Sequence, residues 1–587
     1  MILGIDLGTT NTVSAIVENG VPRVLPTAEG GKLLPSIVTF SRTGERVVGD
    51  VARRQLVVHP DRTIHSAKRF IGRRYADATT DLPLVQYEVV ETRTGDCGFR
   101  IDGRVYSPAE ISAAVLQRVK QAAEAHLGTP ITEAVITVPA HFDDRRRQAT
   151  RDAAAIAGLE VARVLNEPTA AALAWLRGAG GAQRPDRATL AVYDFGGGTF
   201  DISIVRVDGD VAEVRATRGD NALGGADIDR AIEEWLLDVA RQDGVDLHGD
   251  RVARQRLREA AEAAKIDLST LPDVEVRLPF LGGTAEVPYH LACTLTRAQL
   301  EQRIAPLIER TLVECRLSLK EAAIAPAEVD EVVLVGGSSR IPAVRSAVGA
   351  LFGRTVEQTV NPEDVVALGA ALQAASLEGR TAAVTLLDVT SFALGVEVAG
   401  GRSARLIPKN APLPAQRTQM VTTASDDQST VRIHVLQGEG ATAAENTSLG
   451  QFELTGIAPG PKGSARIEVT FGVDTSGMVR VSAVDTRSGA REAIQIRAPG
   501  SLDAGERERM SAEAREIATR ARDTQARREA ETALRSRLPA VEACMRSESI
   551  ASTEAELLAE RAYAALAVKA PTETLRELIA WADRIRS

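Results

Sequence analysis

The sequence predicts a multidomain protein in which an α/β region comes first, a β-sandwich follows and helices end the chain. Three observations support this order. Strands alternate with helices up to about residue 380, short segments of period-2 alternation follow, and the rest is rich in Ala, Glu and Arg. Because 587 residues are too many for one core, we expect three or four domains. The predicted parts are 1–380 (α/β), 381–390 (linker), 391–500 (β-sandwich) and 501–587 (helices).

Composition and charge exclude several classes of protein. Hydrophobic content of 44% and charged content of 25% are ordinary for a globular chain. The formal net charge of −9 argues against general binding to nucleic acid or to anionic membranes. No run of 18 apolar residues occurs, and the chain starts in a strand, so we expect neither a membrane span nor a signal peptide. Four cysteines without CxxC spacing make a disulfide framework or a zinc site unexpected and favour a reducing cytoplasm.

Two glycine-rich turns, 188 residues apart, are the most informative feature. The first is Asp6-Leu7-Gly8-Thr9-Thr10-Asn11, and the second is Asp194-Phe195-Gly196-Gly197-Gly198-Thr199. Each follows an apolar strand and precedes another. Glycines let a turn present backbone N–H groups to a phosphate, and an Asp at the strand end suits a hydrated Mg²⁺. A single turn of this kind often only connects strands, but two copies indicate a duplicated fold that grips a polyphosphate from both sides.

The other elements of the α/β region are shorter signals. The pattern predicts helices over 104–125 and 145–158 and buried strands over 134–139 and 331–335. The last strand leads into Gly336-Gly337-Ser338-Ser339-Arg340, a surface on which a base or ribose could lie, although alone it could be any strand-to-helix turn. The apolar run Leu386–Val389 fits a short ordered linker or an ordinary buried strand.

The last 200 residues follow two further patterns. Segments 430–435, 465–471 and 478–484 alternate with period 2, which predicts strands at sandwich spacing. In the helical stretch, Pro539 should kink or end a helix. Leu575, Leu578, Ala582 and Ile585 share one face of a final helix.

Taken with their order, these motifs resemble the seventy-kilodalton heat-shock chaperone family, of the bacterial DnaK type, within the actin and sugar-kinase superfamily. Both glycine turns and the element at Gly336–Arg340 match, as do Asn166-Glu167-Pro168-Thr169, Leu386-Leu387-Asp388-Val389 and the segment 433–439. The resemblance runs almost end to end. It implies an actin-like (duplicated ribonuclease H-like) ATPase domain, a β-sandwich peptide-binding domain and an α-helical lid.

The resemblance implies an ATPase site that takes ATP or ADP with Mg²⁺, and K⁺ as a further ion. Asp6 and Asp194 would hold Mg²⁺ through water. The implied phosphate-binding residues are Gly8, Thr9, Thr10, Asn11, Gly196, Gly197 and Gly198. The implied catalytic residues are Lys68, Glu167, Asp194, Thr199 and Asp201. The implied adenosine contacts are Glu262, Lys265, Ser269, Gly336, Gly337, Ser338 and Arg340.

Two of these assignments have ordinary alternatives. An isolated lysine such as Lys68 is usually solvated, but only eight of the 70 basic residues are lysines, so each one is informative. Glu262, Lys265 and Ser269 are spaced i, i+3 and i+7 over a predicted helix 258–268 and would, without the resemblance, be an ion-paired solvent face.

The resemblance also implies coupling and client-binding residues. Pro139 and Arg147 match an interdomain relay, while Arg163, Asn166, Thr169 and Asp388 match the surface where a J-domain protein docks. The linker would join the ATPase domain as an edge strand when ATP is bound. The implied peptide-binding residues are Val396, Val421, Val431, Ile433 and Ile467, with Ala399 and Ala424 as an arch. For Val431 and Ile433, plain sandwich core remains an equal alternative.

Several residues depart from the family pattern. Val421 and Ala399 are smaller than the residues common there, which implies a wider pocket or a weaker arch. His141 replaces a frequent Tyr, Asn361-Pro362-Glu363-Asp364 reverses the usual acidic order, and the lid is short. These differences leave every implied catalytic group in place.

The function that follows is an ATP-dependent chaperone for extended apolar segments of unfolded proteins. Its expected partners are client polypeptides, a J-domain co-chaperone and a nucleotide-exchange factor, and we expect a cytoplasmic monomer that binds neither nucleic acid nor membranes. A specialised paralogue, serving iron–sulfur cluster assembly proteins for example, stays open. A small-molecule kinase would need a second α/β substrate domain, and a scaffold with a degenerate ATPase would not need the complete set of site residues.

Overall fold

A computed structural model describes residues 1–42, 44–178, 184–284, 286–356, 360–381, 384–495, 504–545 and 550–586. They form two compact units, 1–508 and 509–587. The predicted boundary at 500/501 and linker residues 382–383 lie outside the described residues. Among the described helices, none has both the length and the apolar character that crossing a membrane requires.

The first 380 residues form a mixed α/β region. Its strands are β1 (Ile2–Leu7), β2 (Asn11–Glu18), β3 (Val21–Val24), β4 (Leu34–Pro35), β5 (Val38–Phe40), β6 (Arg46–Val48), β7 (Thr63–Ile64), β8 (Glu88–Glu91), β9 (Cys97–Ile101), β10 (Arg104–Tyr106), β11 (Glu133–Val138), β12 (Glu160–Asn166), β13 (Arg187–Phe195), β14 (Phe200–Asp208), β15 (Val211–Asp220), β16 (Asp273–Gly283), β17 (Pro288–Thr296) and β18 (Glu331–Val335). Its helices are α1 (Asp50–Arg53), α2 (Pro108–Leu127), α3 (Asp144–Ile156), α4 (Glu167–Leu176), α5 (Gly225–Gln242), α6 (Arg251–Asp267), α7 (Arg297–Ala322), α8 (Pro342–Phe352) and α9 (Val365–Leu377).

Two sheets of this region repeat one arrangement. The first has the strand order β12-β11-β1-β2-β3, and the second has β18-β13-β14-β15 with β19 (Thr385–Leu387) at its edge. In each sheet three antiparallel strands joined by short turns have a parallel strand, β11 or β18, beside the first of them. The repeat puts each glycine-rich turn at the same place, between the first and second strands, as the duplicated motif predicted.

Helices α4 and α9 pack against both sheets in one apolar cluster. The cluster combines α4 and α9 with strands of both halves. The helices cross so closely that a Cβ on Gly369 would lie 1.9 Å from the carbonyl oxygen of Ala170. Only glycine fits at this crossing, where the backbones of the two helices meet.

The helix predicted over 104–125 starts later than expected. Arg104–Tyr106 is the strand β10, which pairs with β9, and α2 begins at Pro108. Ser107 caps the helix: its side chain accepts from the Glu110 N–H while the Glu110 carboxylate accepts from the Ser107 N–H. This capping box, followed by proline at the first helical position, is the start signal that the prediction overlooked.

The β region consists of two four-stranded antiparallel sheets. Their orders are β21-β20-β23-β24 and β22-β25-β26-β27, and their side chains share one apolar cluster. The three strands predicted from alternation are present as β23, β25 and β26. The bounds are β20 (Leu394–Val398), β21 (Arg402–Ile407), β22 (Ala415–Val421), β23 (Thr430–Gln437), β24 (Thr447–Thr455), β25 (Ile467–Val473), β26 (Val479–Asp485) and β27 (Arg491–Gln495).

Three helices end the chain: α10 (Ala504–Met545), α11 (Ile550–Ala567) and α12 (Thr572–Arg586). Pro539 was expected to kink or end a helix; it does not end one, because α10 continues through it to Met545, and the kink stays a prediction. Its neighbours Leu538 and Val541 are buried in a cluster with α11 and α12, and this packing offsets the hydrogen bond that proline removes. The predicted face of α12 is confirmed, since Leu575, Leu578 and Ala582 are buried there and Ile585 packs against them.

Candidate functional site

A cavity of about 480 Å³ lies between the two glycine-rich turns. The turns face each other closely, because a Cβ on Gly197 would lie 2.1 Å from Oγ1 of Thr10. The cavity is lined by these predicted site residues: Asp6, Gly8, Thr9, Thr10, Asn11, Lys68, Glu167, Asp194, Gly196, Gly197, Thr199, Glu262, Lys265, Gly336, Gly337, Ser338 and Arg340. Residues 334 positions apart in the chain thus surround one space.

Three predicted site residues are not among those that line the cavity. Gly198 belongs to the second turn, and a Cβ at this position would contact Thr9 and Arg69. Asp201 is buried below it and accepts a hydrogen bond from the His141 N–H at 3.1 Å. Ser269 was expected on one helix face with Glu262 and Lys265, but α6 ends at Asp267 and the Ser269 hydroxyl donates to the Lys265 carbonyl instead.

Carboxylates crowd the floor of the cavity around one lysine. Nζ of Lys68 donates to Oε1 of Glu167 at 2.7 Å, and both residues are buried. Burial, and then the charge of Glu167, raise the pKa of Asp6 to about 7, although Lys68 and the Thr137 hydroxyl oppose this. Burial and neighbouring carboxylates also hold the pKa of Asp194 and of Asp201 well above the usual range. Without a bound cation these carboxyl groups therefore tend to take up protons, and a cation at the floor would favour their ionised forms.

This donor set fits a hydrated divalent cation. Oδ2 of Asp201 is buried without a hydrogen-bond partner, and carboxylate oxygens are the ligands that Mg²⁺ prefers. In the described part of the chain, no group of three or more His, Cys, Asp or Glu side chains forms a ready-made metal site. Asp6 and Asp194 both line the cavity, and their carboxylates suit an ion that keeps several of its water ligands, as Mg²⁺ does.

The opposite end of the cavity can hold a base and a sugar. The Ser338 hydroxyl donates to the Gly196 carbonyl at 3.0 Å, so this end is joined to the second glycine turn. Nη2 of Arg340 donates to Oδ1 of Asn361 at 2.9 Å and to Oε2 of Glu363 at 3.1 Å. The reversed acidic order places the longer Glu363 side chain where it reaches Arg340, and this pair fixes a planar guanidinium at the cavity wall.

Sequence reasoning missed the contribution of α5. Its first residues, Gly225 and Ala226, line the cavity, and their N–H groups donate to the carbonyls of Gly196 and Gly197, both at 2.9 Å. Asp229 forms an ion pair with Lys265 at 2.7 Å, and burial raises the pKa of Asp229 to about 6. A Gly224-Gly225 pair directly before an amphipathic helix was the available signal, because such a pair permits close backbone approach.

Four of the predicted coupling residues form one buried network. Arg147 donates to Oδ1 of Asn166 at 2.7 Å and to the Ala140 carbonyl at 3.1 Å. Asn166 and Thr169 both donate to Oδ2 of Asp388, at 2.9 and 2.8 Å. Arg163 lies beside this network and donates to Gln373. Pro139 directly follows β11 and precedes His141, whose N–H donates to Asp201.

The β region contacts the α/β region through the linker strand and through residues of its turns. Strand β19 pairs in parallel with β15, from Thr385 opposite Val211 to Leu387 opposite Glu213. The turn before β26 contacts the α/β region, because the Ser476 carbonyl accepts a hydrogen bond from Arg147 at 3.3 Å. Lys409 forms an ion pair with Glu321 at 3.2 Å. The linker run thus contributes the edge strand β19, which agrees with the arrangement that the resemblance implied and not with an ordinary buried strand, since Thr385 and Leu387 are exposed.

The predicted peptide-binding residues divide into two groups. Val396, Val431, Ile433 and Ile467 are buried in the apolar cluster of the β region, and Val421 packs at its edge. Ala399 and Ala424 are exposed in turns. These positions agree with a sandwich core and leave the peptide-binding role of each residue as a prediction.

Comparison with protein families gives one match of nearly the full length. A family model described as "Hsp70 protein" matches residues 2–584. The match includes the glycine turns, the coupling network, the β region and the helices.

Asp144 gives the contact between the regions a pH dependence. Its Oδ1 accepts from the Val479 N–H at 2.8 Å, and burial raises its pKa from 3.8 to about 7. Protonation therefore stabilises this contact fully below pH 3.8, and the contribution is lost as the pH rises through 7. Asp144→Asn keeps an acceptor without the charge. The measured quantity is the amide protection of residues 476–485 in the variant divided by that in the parent. We expect this ratio to grow by up to about tenfold per pH unit between pH 5 and 7 and then to level off.

Hydrogen exchange measured by mass spectrometry tests this expectation. His141, whose pKa burial lowers to about 3, is present in both proteins, so its own titration cancels in the ratio. Asp144→Ala, which removes the acceptor, should show weaker protection than Asp144→Asn throughout. A ratio that does not change with pH would contradict the assigned role of Asp144.

Proposed function

Because the chain belongs to the Hsp70 family, we propose that it is an ATP-dependent chaperone that binds extended apolar segments of unfolded proteins. Binding and release would follow a cycle of ATP hydrolysis and nucleotide exchange. Members of this family are chaperones and ATPases that bind ATP or ADP with Mg²⁺. The observation that carries the proposal is the cavity between two opposed glycine turns, with Lys68, Glu167 and Asp194 at its floor.

The proposed hydrolysis depends mainly on positioning and charge balance. Backbone N–H groups and the hydroxyls of Thr9, Thr10 and Thr199 would hold the phosphates. Lys68, oriented by Glu167, would use its remaining N–H donors for the terminal phosphate as negative charge develops there. Glu167 and Asp201 would orient the attacking water. Mg²⁺, held through water by Asp6 and Asp194, supplies further charge neutralisation when bound.

The finer features of the function are proposals as well. We propose a J-domain co-chaperone that docks near Arg163 and Asp388, a nucleotide-exchange factor, K⁺ as a further ion, and a monomer that binds neither nucleic acid nor membranes. The cytoplasmic location is supported by the free thiols of Cys97, Cys293 and Cys315.

Two substitutions in the floor of the cavity test the ATPase. Asp194→Asn should lower turnover by at least about 100-fold because it removes half of the proposed cation site. Lys68→Ala should lower single-turnover hydrolysis by about 100-fold and weaken nucleotide affinity by less than about tenfold, because its contact forms mainly in the transition state. Lys320→Ala, at an exposed lysine near the end of α7, is the control. Parent-like single-turnover hydrolysis by Lys68→Ala would refute the role of Lys68.

Coupling between nucleotide and client is proposed to run through the linker strand and the network behind it. Asp388 follows β19 directly and accepts hydrogen bonds from Asn166 and Thr169, while Arg147 joins Asn166 to the β region. A chain of contacts continues to Asp201 through the His141 N–H. Nucleotide and client would thereby bias one equilibrium between attached and released β regions.

Adjacent residues of β19 provide a matched test of coupling. Leu386 packs against the apolar cluster of the two sheets, whereas Leu387 is 38% exposed. Leu386→Asp should abolish the stimulation of ATPase by an apolar peptide because a charge cannot be buried there, and basal turnover should persist. Leu387→Asp should keep most of the stimulation. If Leu386→Asp kept as much stimulation as Leu387→Asp keeps, the domains would communicate by another route.

The proposed client pocket depends on the smaller residue at Val421. Val421 lies opposite Ile467 across the β22–β25 pair and packs at the edge of the apolar cluster. An under-filled pocket loses dispersion contacts with small side chains, whereas larger anchors bury more surface, at roughly 25 cal/mol per Å². The parent should therefore prefer bulky apolar anchors.

Val421→Phe should shift the preference toward smaller anchors. Competition fluorescence anisotropy with peptides that differ only at the central residue, in the ADP state, measures the ranking. Met420→Phe is the control, because Met420 is 46% exposed and adjacent strand residues point to opposite faces. Identical rankings for the parent and Val421→Phe would remove Val421 from the pocket. Binding of a single peptide from a varied panel would favour the specialised paralogue.

A further inference from the structure

A second cavity, of about 330 Å³, lies outside the proposed nucleotide site. One of its walls is the segment 82–89, and the other is the loop before α6 together with the first turn of that helix. The residues that line it are Leu82, Pro83, Val85, Gln86, Tyr87, Val89, His248, Gly249, Arg251 and Arg254. Among these described residues none is acidic, and none lines the larger cavity. The two cavities therefore have separate linings and differ in charge.

Two guanidinium groups give the second cavity its charge. Arg251 and Arg254 are three positions apart on α6, so they lie on one face of the helix. Arg254 pairs with Oε1 of the fully buried Glu233 at 2.9 Å, and Arg258 pairs with Oε2 of the same carboxylate at 2.7 Å. Arg258 also donates to the Leu84 carbonyl and lines the larger cavity. One carboxylate thus serves two guanidinium groups, and the exposed Arg251 adds a further positive charge.

The other charged groups near this cavity already have partners. Nδ1 of His248 is hydrogen-bonded to Oδ1 of Asp246 at 2.8 Å. The Asp250 carboxylate caps α6 by accepting from two backbone N–H groups, both at 2.9 Å. Glu88, which follows Tyr87 in the other wall, pairs with Arg100 at 2.8 Å. Because the cap offsets part of the positive end of the helix, the arginines are the main source of positive charge.

A buried amide independently indicates a missing hydrogen-bond acceptor. Gln86 lines the cavity and is only 6% exposed, and its Nε2 has no hydrogen-bond partner among the described residues. Buried amide donors are normally hydrogen-bonded, because an unpaired one retains the cost of its desolvation. The hydroxyl of the neighbouring Tyr87 is already used, since it donates to the His65 carbonyl. An acceptor bound in the cavity would give Gln86 its partner.

The combination of donors and apolar walls defines a class of ligand. A phosphate group offers several acceptor oxygens at once, which suits two guanidinium groups and an amide. Four further lining residues are apolar, namely Leu82, Pro83, Val85 and Val89. They would bury an apolar body attached to the phosphate.

We infer that this cavity binds a small phosphate monoester with an apolar body, and that Arg251, Arg254 and Gln86 donate hydrogen bonds to its phosphate group. The inference does not depend on the proposed nucleotide site. It adds a second ligand site to the α/β region.

Binding of phenyl phosphate to the full chain, measured by isothermal titration calorimetry, tests the inference. The protein is first saturated with Mg²⁺ and a non-hydrolysable ATP analogue, so that the proposed nucleotide site is occupied. One molecule of phenyl phosphate should bind per chain. Inorganic phosphate should bind more weakly, because it lacks the ring that the apolar wall would bury. Absence of phenyl phosphate binding under these conditions would overturn the inference.

Three substitutions locate the bound phosphate. Arg251→Gln should weaken phenyl phosphate binding by at least about tenfold, because it removes a charge-assisted hydrogen bond from an exposed position. Gln86→Leu should weaken it by about fivefold, because it removes the amide donor and nearly keeps the volume. Arg256→Gln is the matched control: it removes the same charge from α6, but Arg256 donates to the Pro279 and Phe280 carbonyls and does not line the cavity. This control should stay within about twofold of the parent.

The comparison between the two arginine variants decides the outcome. Equal weakening by Arg251→Gln and Arg256→Gln would show that only the net charge of the helix matters, and it would overturn the inference. Parent-like binding by Arg251→Gln would overturn it as well.

Discussion

The burial of several carboxyl groups at the floor of one cavity is the constraint on which this molecule depends. Asp6, Glu167, Asp194 and Asp201 come from strands and a helix of both halves, and Lys68 is the single cation among them. Burial of like charges is unfavourable, and a divalent cation would offset it. The close crossing of the two halves brings these carboxyl groups together. At the crossing of α4 and α9, Gly369 touches Ala170.

The same floor is the start of a continuous path to the β region. Asp201 accepts from the backbone at His141, the neighbouring Ala140 carbonyl accepts from Arg147, and Arg147 reaches both Asn166 and Ser476. Most of these groups are buried, so a lost partner leaves an unsatisfied donor or acceptor rather than a hydrated one. The proposed coupling would use these packed, hydrogen-bonded groups. The path is short because neighbouring residues of the segment 139–142 contact Asp201 at the floor and Arg147 next to the β region.

How much the sequence predicts depends on whether a feature is local. The glycine turns, the strand β18 and the apolar face of α12 follow from patterns within about ten residues, and all are present. The start of α2 was missed, although Ser107, Pro108 and Glu110 form a complete local signal. The pairing of Arg258 with Leu84 joins residues 174 positions apart, and a backbone carbonyl leaves no trace in residue identity. Likewise, helix propensity at Pro539 was overridden by tertiary burial of its neighbours.

The linker strand has a consequence for the sheet that it joins. With β19 in place, residues Val211–Glu213 of β15 are paired on both sides. Whenever β19 leaves, their backbone groups become an open edge onto which another extended chain could add. Asp210 and Glu213 lie beside that edge, where they form ion pairs with Arg177 and Arg215. Charged side chains at an exposed edge discourage pairing with foreign strands, so these residues would limit self-association in a state that frees the linker.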